Sequence, residues 1–185
     1  MTVYFEREGE INTENVLKLA KKRAIELGIK SILVASTSGK TGVMASEVFK
    51  GFNLVVVSHS TGFSGKNVQE MKEENRKIIE GNGGKILTTT HAFGGIGRAV
   101  RRKLKTYEVE EIIAYTLRTF GEGTKVAIEI SLMAADSGLI RTDEEVISIA
   151  GTDRGADTAL VILPANTQDF FDLKVLEIIC KPRKW

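Results

Sequence analysis

The sequence predicts a three-layer α/β domain built on a mixed five-stranded sheet with helices on both faces. Short apolar runs rich in β-branched residues alternate with amphipathic stretches at helical spacing. The runs are too apolar for either side to face water, as expected of parallel strands covered on both faces. The last two runs are separated only by residues 151–157. That is too short for a crossover helix, so the final pair is antiparallel.

Each element follows in turn. In "NTENVLKLAKKRAIELG" (12–28), Val16, Leu17, Ala20, Ala24 and Leu27 recur at helical spacing, with Asn12 as N-cap and Gly28 as stop. "SILVAS" (31–36) is the first strand and leads into a helix from Thr41 to Phe49. "NLVVVS" (53–58) is the second strand, and the charged amphipathic stretch "NVQEMKEENRKIIEGNGG" (67–84) predicts a helix over 67–80. "KILTTT" (85–90) is the third strand, and right-handed crossovers connect the three. "EVEEIIAYTLRTF" (108–120) and "GTKVAIEISLMAADSGLI" (123–140) are helical, split at Gly121-Glu122-Gly123, with helix expected over 123–137. "EVISIA" (145–150) and "TALVIL" (158–163) form the late pair, and the tail "FFDLKVLEIICKPRKW" is a candidate edge strand. With no repeat, low-complexity segment or linker, residues 1–185 are expected to form a single domain.

Composition narrows the class. Hydrophobic residues make up 42% and charged residues 27%, enough apolar material for a core. A net charge of +2 does not by itself call for a polyanionic partner. Cys180 stands alone, which excludes a disulfide framework and a cysteine metal site. No apolar stretch approaches the ~18 residues of a membrane span, and "MTVYFEREGE" lacks the layout of a signal peptide. The expectation is a cytoplasmic protein without membrane partners. Abundant Lys and Glu beside only Gln69 and Gln168 lean toward a thermophile.

The loop "LVASTSGKTG" (33–42) carries the strongest functional signal. It ends in Gly39-Lys40-Thr41, as the phosphate loop G-x-x-x-x-G-K-S/T does, but the first glycine of that pattern is Val34 here. A Walker fold is therefore not expected. Ser36, Thr37, Ser38, Gly39, Lys40 and Thr41 still lie at the carboxyl end of a parallel strand, before a helix. Ligands of open α/β sheets gather there, and free N–H groups, hydroxyls and one ammonium suit a phosphate. Charge-assisted bonds contribute roughly 1.5–3 kcal/mol each, against an association cost of roughly 4–15 kcal/mol. Phosphate alone therefore binds weakly, and a bulky ring system is needed to hold it. The alternative is a plain N-cap loop with a solvated lysine.

Other loops converge on the same edge. His59, Thr61, Gly62 and Phe63 follow the second strand, and His91 and Phe93 follow the third. Two histidines without nearby carboxylates make a poor zinc site, so no metal is expected. They serve either as donors to a ligand or as loop braces, and Phe63 and Phe93 either offer a stacking face or plug the core. In "GTDRGAD" (151–157), Gly151, Thr152, Asp153, Arg154 and Gly155 either grip a second anionic group through Arg154 or form a plain turn with Asp153 capping backbone. Gly95-Ile96-Gly97 begins a dinucleotide fingerprint, but Val100 stands where its third glycine should be. The basic run Arg98, Arg101, Arg102, Lys103 and Lys105 is a solvated helix face without interleaved aromatics, so no nucleic acid is expected. Arg98 is the exception, at a helix start where it can point into the ligand cleft. No catalytic motif is present, and Glu129 and Asp136 on the late helix have no partner that the sequence names.

The unit of apolar strand, "STSGKT" loop, helix and "NLVVVSHS" resembles the start of the regulatory C-terminal domain of pyruvate kinase, whose matching loop binds the phosphate of a sugar bisphosphate. "KVAIEISLMAADSGLI", "EVISIA", "GTDRGA" and "TALVILPA" follow in the same order. Through "VASTSG", "THA", "TLRTFGEGTKVAIEI", "MAADSGLI" and "GTDRGADTA" the chain is similar to a family of small, stand-alone, mostly archaeal proteins on this fold, some of which carry FMN. The resemblance implies a strand order of 3-2-1-4-5 with the last strand antiparallel, an FMN cofactor, and a "GTDRGA" loop that closes over a ligand. It does not imply kinase chemistry. The expected function is binding of a phosphorylated small molecule. A flavin-dependent oxidoreductase, another enzyme on a phosphorylated metabolite, and a ligand-sensing regulatory subunit are the alternatives. Apolar faces left over in 108–120 and in the tail predict a homo-oligomer.

Overall fold

The computed structural model describes residues 2–185. In chain order its strands and α-helices are β1 (Val3–Phe5), α1 (Thr13–Leu27), β2 (Ser31–Ala35), α2 (Lys40–Val48), β3 (Asn53–Ser58), α3 (Glu73–Gly81), β4 (Lys85–Thr88), α4 (Ile96–Leu104), α5 (Val109–Arg118), α6 (Glu122–Asp136), β5 (Val146–Ala150), β6 (Thr158–Leu163) and β7 (Lys174–Pro182). A 3-10 turn at Glu10–Asn12 leads into α1, and another at Thr167–Asp172 precedes β7.

Apolar β-branched runs become strands buried on both faces, as β2, β5 and β6 show. β4, β3, β2 and β5 run parallel, and β6 returns antiparallel beside β5. The expected five-stranded sheet is corrected to seven strands in the order β1-β7-β6-β5-β2-β3-β4. The two added strands come from the chain's ends. β7 is not the edge that the tail suggested, because it pairs antiparallel with β6 and is itself covered by β1, with Val3 opposite Cys180. Its first residues are exposed and its last are buried, so its apolar pattern is that of no single environment.

Alternation along the strands divides the core into two layers. Ile32, Val34, Val56, Ile147 and Ile149 face α1, α2 and α3, meeting Leu17, Phe49 and Ile79. Leu33, Val55, Val57, Leu160 and Ile162 face α6, and α5 packs outside it. Gly28 ends α1 in the left-handed conformation, with φ 70°, as its sequence position suggested.

The helix expected over 67–80 starts only at Glu73. Asn67 has φ 63°, and Gly62 N–H donates to Val68 O at 2.9 Å, so residues 62–68 form a closed loop. Lys72 N–H then donates to Ser38 O at 3.2 Å. These bonds replace the missing helical turn and bring Glu70 and Lys72 toward the ends of β2 and β3. Among the described residues no helix is long and apolar enough to cross a membrane.

Candidate functional site

A cleft of about 750 Å³ opens at the carboxyl ends of β2 and β3, lined also by the β5–β6 loop and α6. On the α2 side, Ser36 Oγ accepts Gly42 N–H at 3.1 Å, and Gly39 O accepts Val43 N–H at 2.9 Å. The N–H groups of Lys40 and Thr41 have no acceptor among the described residues, as expected of a first helical turn open to a ligand. Ser38 O takes both Lys72 N–H and Asn75 Nδ2, the latter at 2.9 Å, which fixes the loop to α3. The Ser38 hydroxyl takes no part in that bracing.

The floor is built by α6. Glu129 lies buried between two turns of apolar neighbours and accepts Phe93 N–H at 3.0 Å and Lys125 Nζ at 2.5 Å. Burial pushes its carboxyl up, but the nearby His91 ring and the Lys125 ammonium outweigh burial and hold it at about 2. His91 Nδ1 stands 3.8 Å away, beyond hydrogen-bond length, so Lys125 and Phe93 N–H are the contacts that fix the carboxylate. His91 Nε2 in turn accepts Ser60 N–H at 3.4 Å. His59 Nδ1 pairs with Glu70 at 2.9 Å, and its Nε2 faces Thr37 Oγ1 at 3.4 Å. The expectation that the histidines lack carboxylates is therefore corrected: Glu70, eleven residues on, bonds His59, and Glu129 of α6 stands 3.8 Å from His91.

Phe63 sits 3.9 Å from the His59 ring and 4.9 Å from His91, with the Arg98 guanidinium 4.3 Å from its centroid. Its ring is thus already engaged by protein. Phe93 is buried and meets Phe170 edge-on, so it plugs the core and offers no stacking face. Burial and then Arg102 hold the Arg98 pKa below its ordinary value.

The β5–β6 loop is braced by a carboxylate, but not by Asp153. Asp157 is wholly buried and accepts Gly9 N–H at 2.9 Å, Thr152 N–H at 3.0 Å and Thr158 Oγ1 at 2.7 Å. Gly155, at φ 70°, allows the loop to lie against the 3-10 turn at Glu10. A Cβ there would fall 2.5 Å from Glu10 Cα and Thr13 Oγ1. Asp153 and Arg154 are left lining the cleft.

Of the expected site residues, the first loop contributes all but Gly39 to the lining. The second contributes His59 and Phe63 but not Thr61 or Gly62, and the last contributes all but Thr152. His91 and Arg98 join them. Thr61 is instead exposed and accepts Gln69 Nε2 at 3.3 Å. Sequence reasoning missed Glu70, Lys72, Arg118, Glu122 and Lys125, and it left Glu129 without a partner. The available signal was α6 itself: a helix apolar on every side is buried, so its charges must be paired. Of the five lining carboxylates three are committed, Glu70 to His59, Glu122 to Arg118 and Glu129 to Lys125, while Glu10 and Asp153 make no ion pair among the described residues. Lys40, Arg98 and Arg154 likewise make no ion pair among the described residues, so the uncommitted charges of the cleft are three cations against the two carboxylates of Glu10 and Asp153.

The family model described as "Pyruvate kinase, alpha/beta domain" matches residues 14–162. Two solved pyruvate kinase structures from Cryptosporidium parvum are similar to the chain. One has 12% identity and a TM-score of 0.41, and the other, in complex with ADP, has 14% identity and a TM-score of 0.40. Each match covers 80% of this chain and 22% of the kinase, so the chain spans only about a fifth of those proteins' length. Since the family match runs from within α1 to within β6, and so takes in the strands and loops that build the cleft, the chain belongs to the pyruvate kinase alpha/beta domain family.

Proposed function

We propose that the cleft binds a phosphorylated small molecule, with FMN as the candidate that family resemblance suggests. One observation carries this reading: an uncommitted helix N-terminus shares a cleft with three unpaired cations, Lys40, Arg98 and Arg154. A dianion at the start of α2 would accept the free N–H groups of Lys40 and Thr41 and the hydroxyls of Thr37 and Ser38. The cleft's volume lies within the ~300–1,000 Å³ typical of small-molecule sites. The engaged ring of Phe63 argues that a ligand ring lies across the strand ends, over His59 and His91, and not against that phenylalanine. When bound, FMN would supply redox chemistry; the chain's residues bind it, orient it and exclude water.

Replacing Ser38 and Lys40 together by alanine weakens FMN binding by roughly 100- to 10,000-fold, the worth of two charge-assisted bonds. Thermal stability hardly moves, because the Ser38 hydroxyl and the Lys40 side chain support no core contact. Titration of FMN into both proteins, with melts alongside, checks this. Equal affinities would reduce the loop to a helix cap. The absorption spectrum and mass of any small molecule released on denaturation identify the ligand carried from the cell.

A second reading, an enzyme acting on a phosphorylated metabolite or through the flavin, is favoured by the buried Lys125–Glu129 pair beside His91. Turnover of a supplied substrate decides for it.

The chain is also proposed to self-associate. Val109, Ile112 and Tyr115 lie at three-residue spacing on an exposed face of α5, continued by Phe120. Light scattering is expected to return a multiple of 20.3 kDa, and a monomer mass at working concentration would refute it.

A further inference from the structure

Lys125 is a buried ammonium whose hydrogen bonds are only partly used. It belongs to the first turn of α6, is 6% exposed, and lines the cleft. An ammonium has three donors. One meets Glu129 Oε2, and no other acceptor for Nζ is present among the described residues. The Phe93 ring centroid is 5.8 Å away and lends only a weak contact. The second carboxylate oxygen of Glu129 is occupied by Phe93 N–H, so Glu129 is held in place and cannot swing to satisfy the lysine further. A charged group so placed, with its position fixed from behind, has donors left for whatever enters the cleft.

The two ends of the cleft lie on opposite layers of the fold. α2 packs on the sheet face of Ile32 and Val34, whereas α6 packs on the face of Leu33 and Val55. A ligand that meets both must cross the carboxyl ends of β2 and β3 between them. We infer that Lys125, anchored by Glu129, is a specificity-determining contact for the end of the ligand remote from its phosphate, and that this end carries a carbonyl or anionic oxygen. The inference rests on the reading of the cleft as a phosphate-anchored site. It adds the chemical class of the far end: an elongated phosphate ester whose other terminus is an oxygen acceptor, as in the dione edge of a flavin. An apolar terminus would leave the ammonium's remaining donors unmet once water is expelled.

The experiment uses the full chain with two probes, FMN and riboflavin, which share the dione edge and differ in the phosphate. Lys125→Met alone strands the Glu129 charge, so the test variant is Lys125→Met with Glu129→Gln, which removes both charges together, and melts verify that it is folded. The expected result is a loss of about 10- to 100-fold in affinity for both probes, the worth of one charge-assisted bond, with the ratio of FMN to riboflavin affinity retained. Lys40→Ala shows the reverse pattern, losing the preference for FMN while riboflavin affinity stays. Wild-type affinity for both probes in the folded double variant overturns the role of Lys125 alone. Equal affinity of the wild type for FMN and riboflavin overturns the phosphate reading while leaving the Lys125 loss to be seen. Binding of neither probe to the wild type overturns both.

Discussion

Glu129→Ala is expected to lower the melting temperature by on the order of 10 °C. Removing one partner of a buried ion pair costs about 3–5 kcal/mol, and each kcal/mol shifts the midpoint by roughly 2–4 °C in a chain of this size. The variant leaves the Lys125 ammonium and Phe93 N–H buried without their acceptor. The same carboxylate sets an acid limit. Its pKa falls from 4.5 to about 2 on folding. A carboxyl with a depressed folded pKa contributes stability that is present above the unfolded value and is lost as pH drops through the folded one. Denaturant unfolding between pH 5 and 2, a range bracketing that titration, therefore steepens for the wild type and flattens for Glu129→Gln. Parallel pH profiles would show that the pair has no such role.

Asp157→Ala is expected to be comparably severe and more local in character. Three donors lose their common acceptor: the buried Thr158 hydroxyl and the part-buried backbone N–H groups of Gly9 and Thr152. At about 1–3 kcal/mol for each unmet buried group, the loss amounts to several kcal/mol. Amide exchange at Gly9 and Thr152 should accelerate well beyond that of β2 and β5, because the brace fails before the sheet does. A variant with wild-type melting and protection would mean that the loop is held by the close approach at Gly155 and by the bond from Ala156 N–H to Thr13 Oγ1 alone.

What the sequence conveyed differs between the sheet's middle and its margins. β2, β3 and β5 were legible because strands covered on both sides are apolar at nearly every position, a pattern that needs no partner to be recognised. β1 and β7 were not. β1 is three residues long, and β7 begins exposed and ends buried, so neither carries one periodicity. Residues 67–72 read as helix because their charge pattern continues that of α3, yet Asn67 at positive φ and the bond from Lys72 N–H to Ser38 O belong to tertiary structure. In the site, Ser36 to Thr41 and the β5–β6 loop could be found by topology, since ligand loops follow parallel strands. Lys125 and Glu129 could not be found that way. An i, i+4 Lys–Glu pair is ordinarily a solvated ornament of a helix, and only its apolar flanks on all sides mark it as interior.

The bond from Gly9 N–H to Asp157 spans 148 positions of the chain. β1 likewise waits for β7. β2, β3 and β4 are joined by short, sequential crossovers and can assemble early, whereas these closures have the largest loop entropy to overcome. During synthesis Val3–Phe5 and Gly9 are made long before β7 and Asp157, the partners they require. The β5–β6 loop gains its brace only then. Completion of the cleft is thus a late event of folding, and a chain stalled before Asp157 has β2 to β5 but a cleft whose rim is still open.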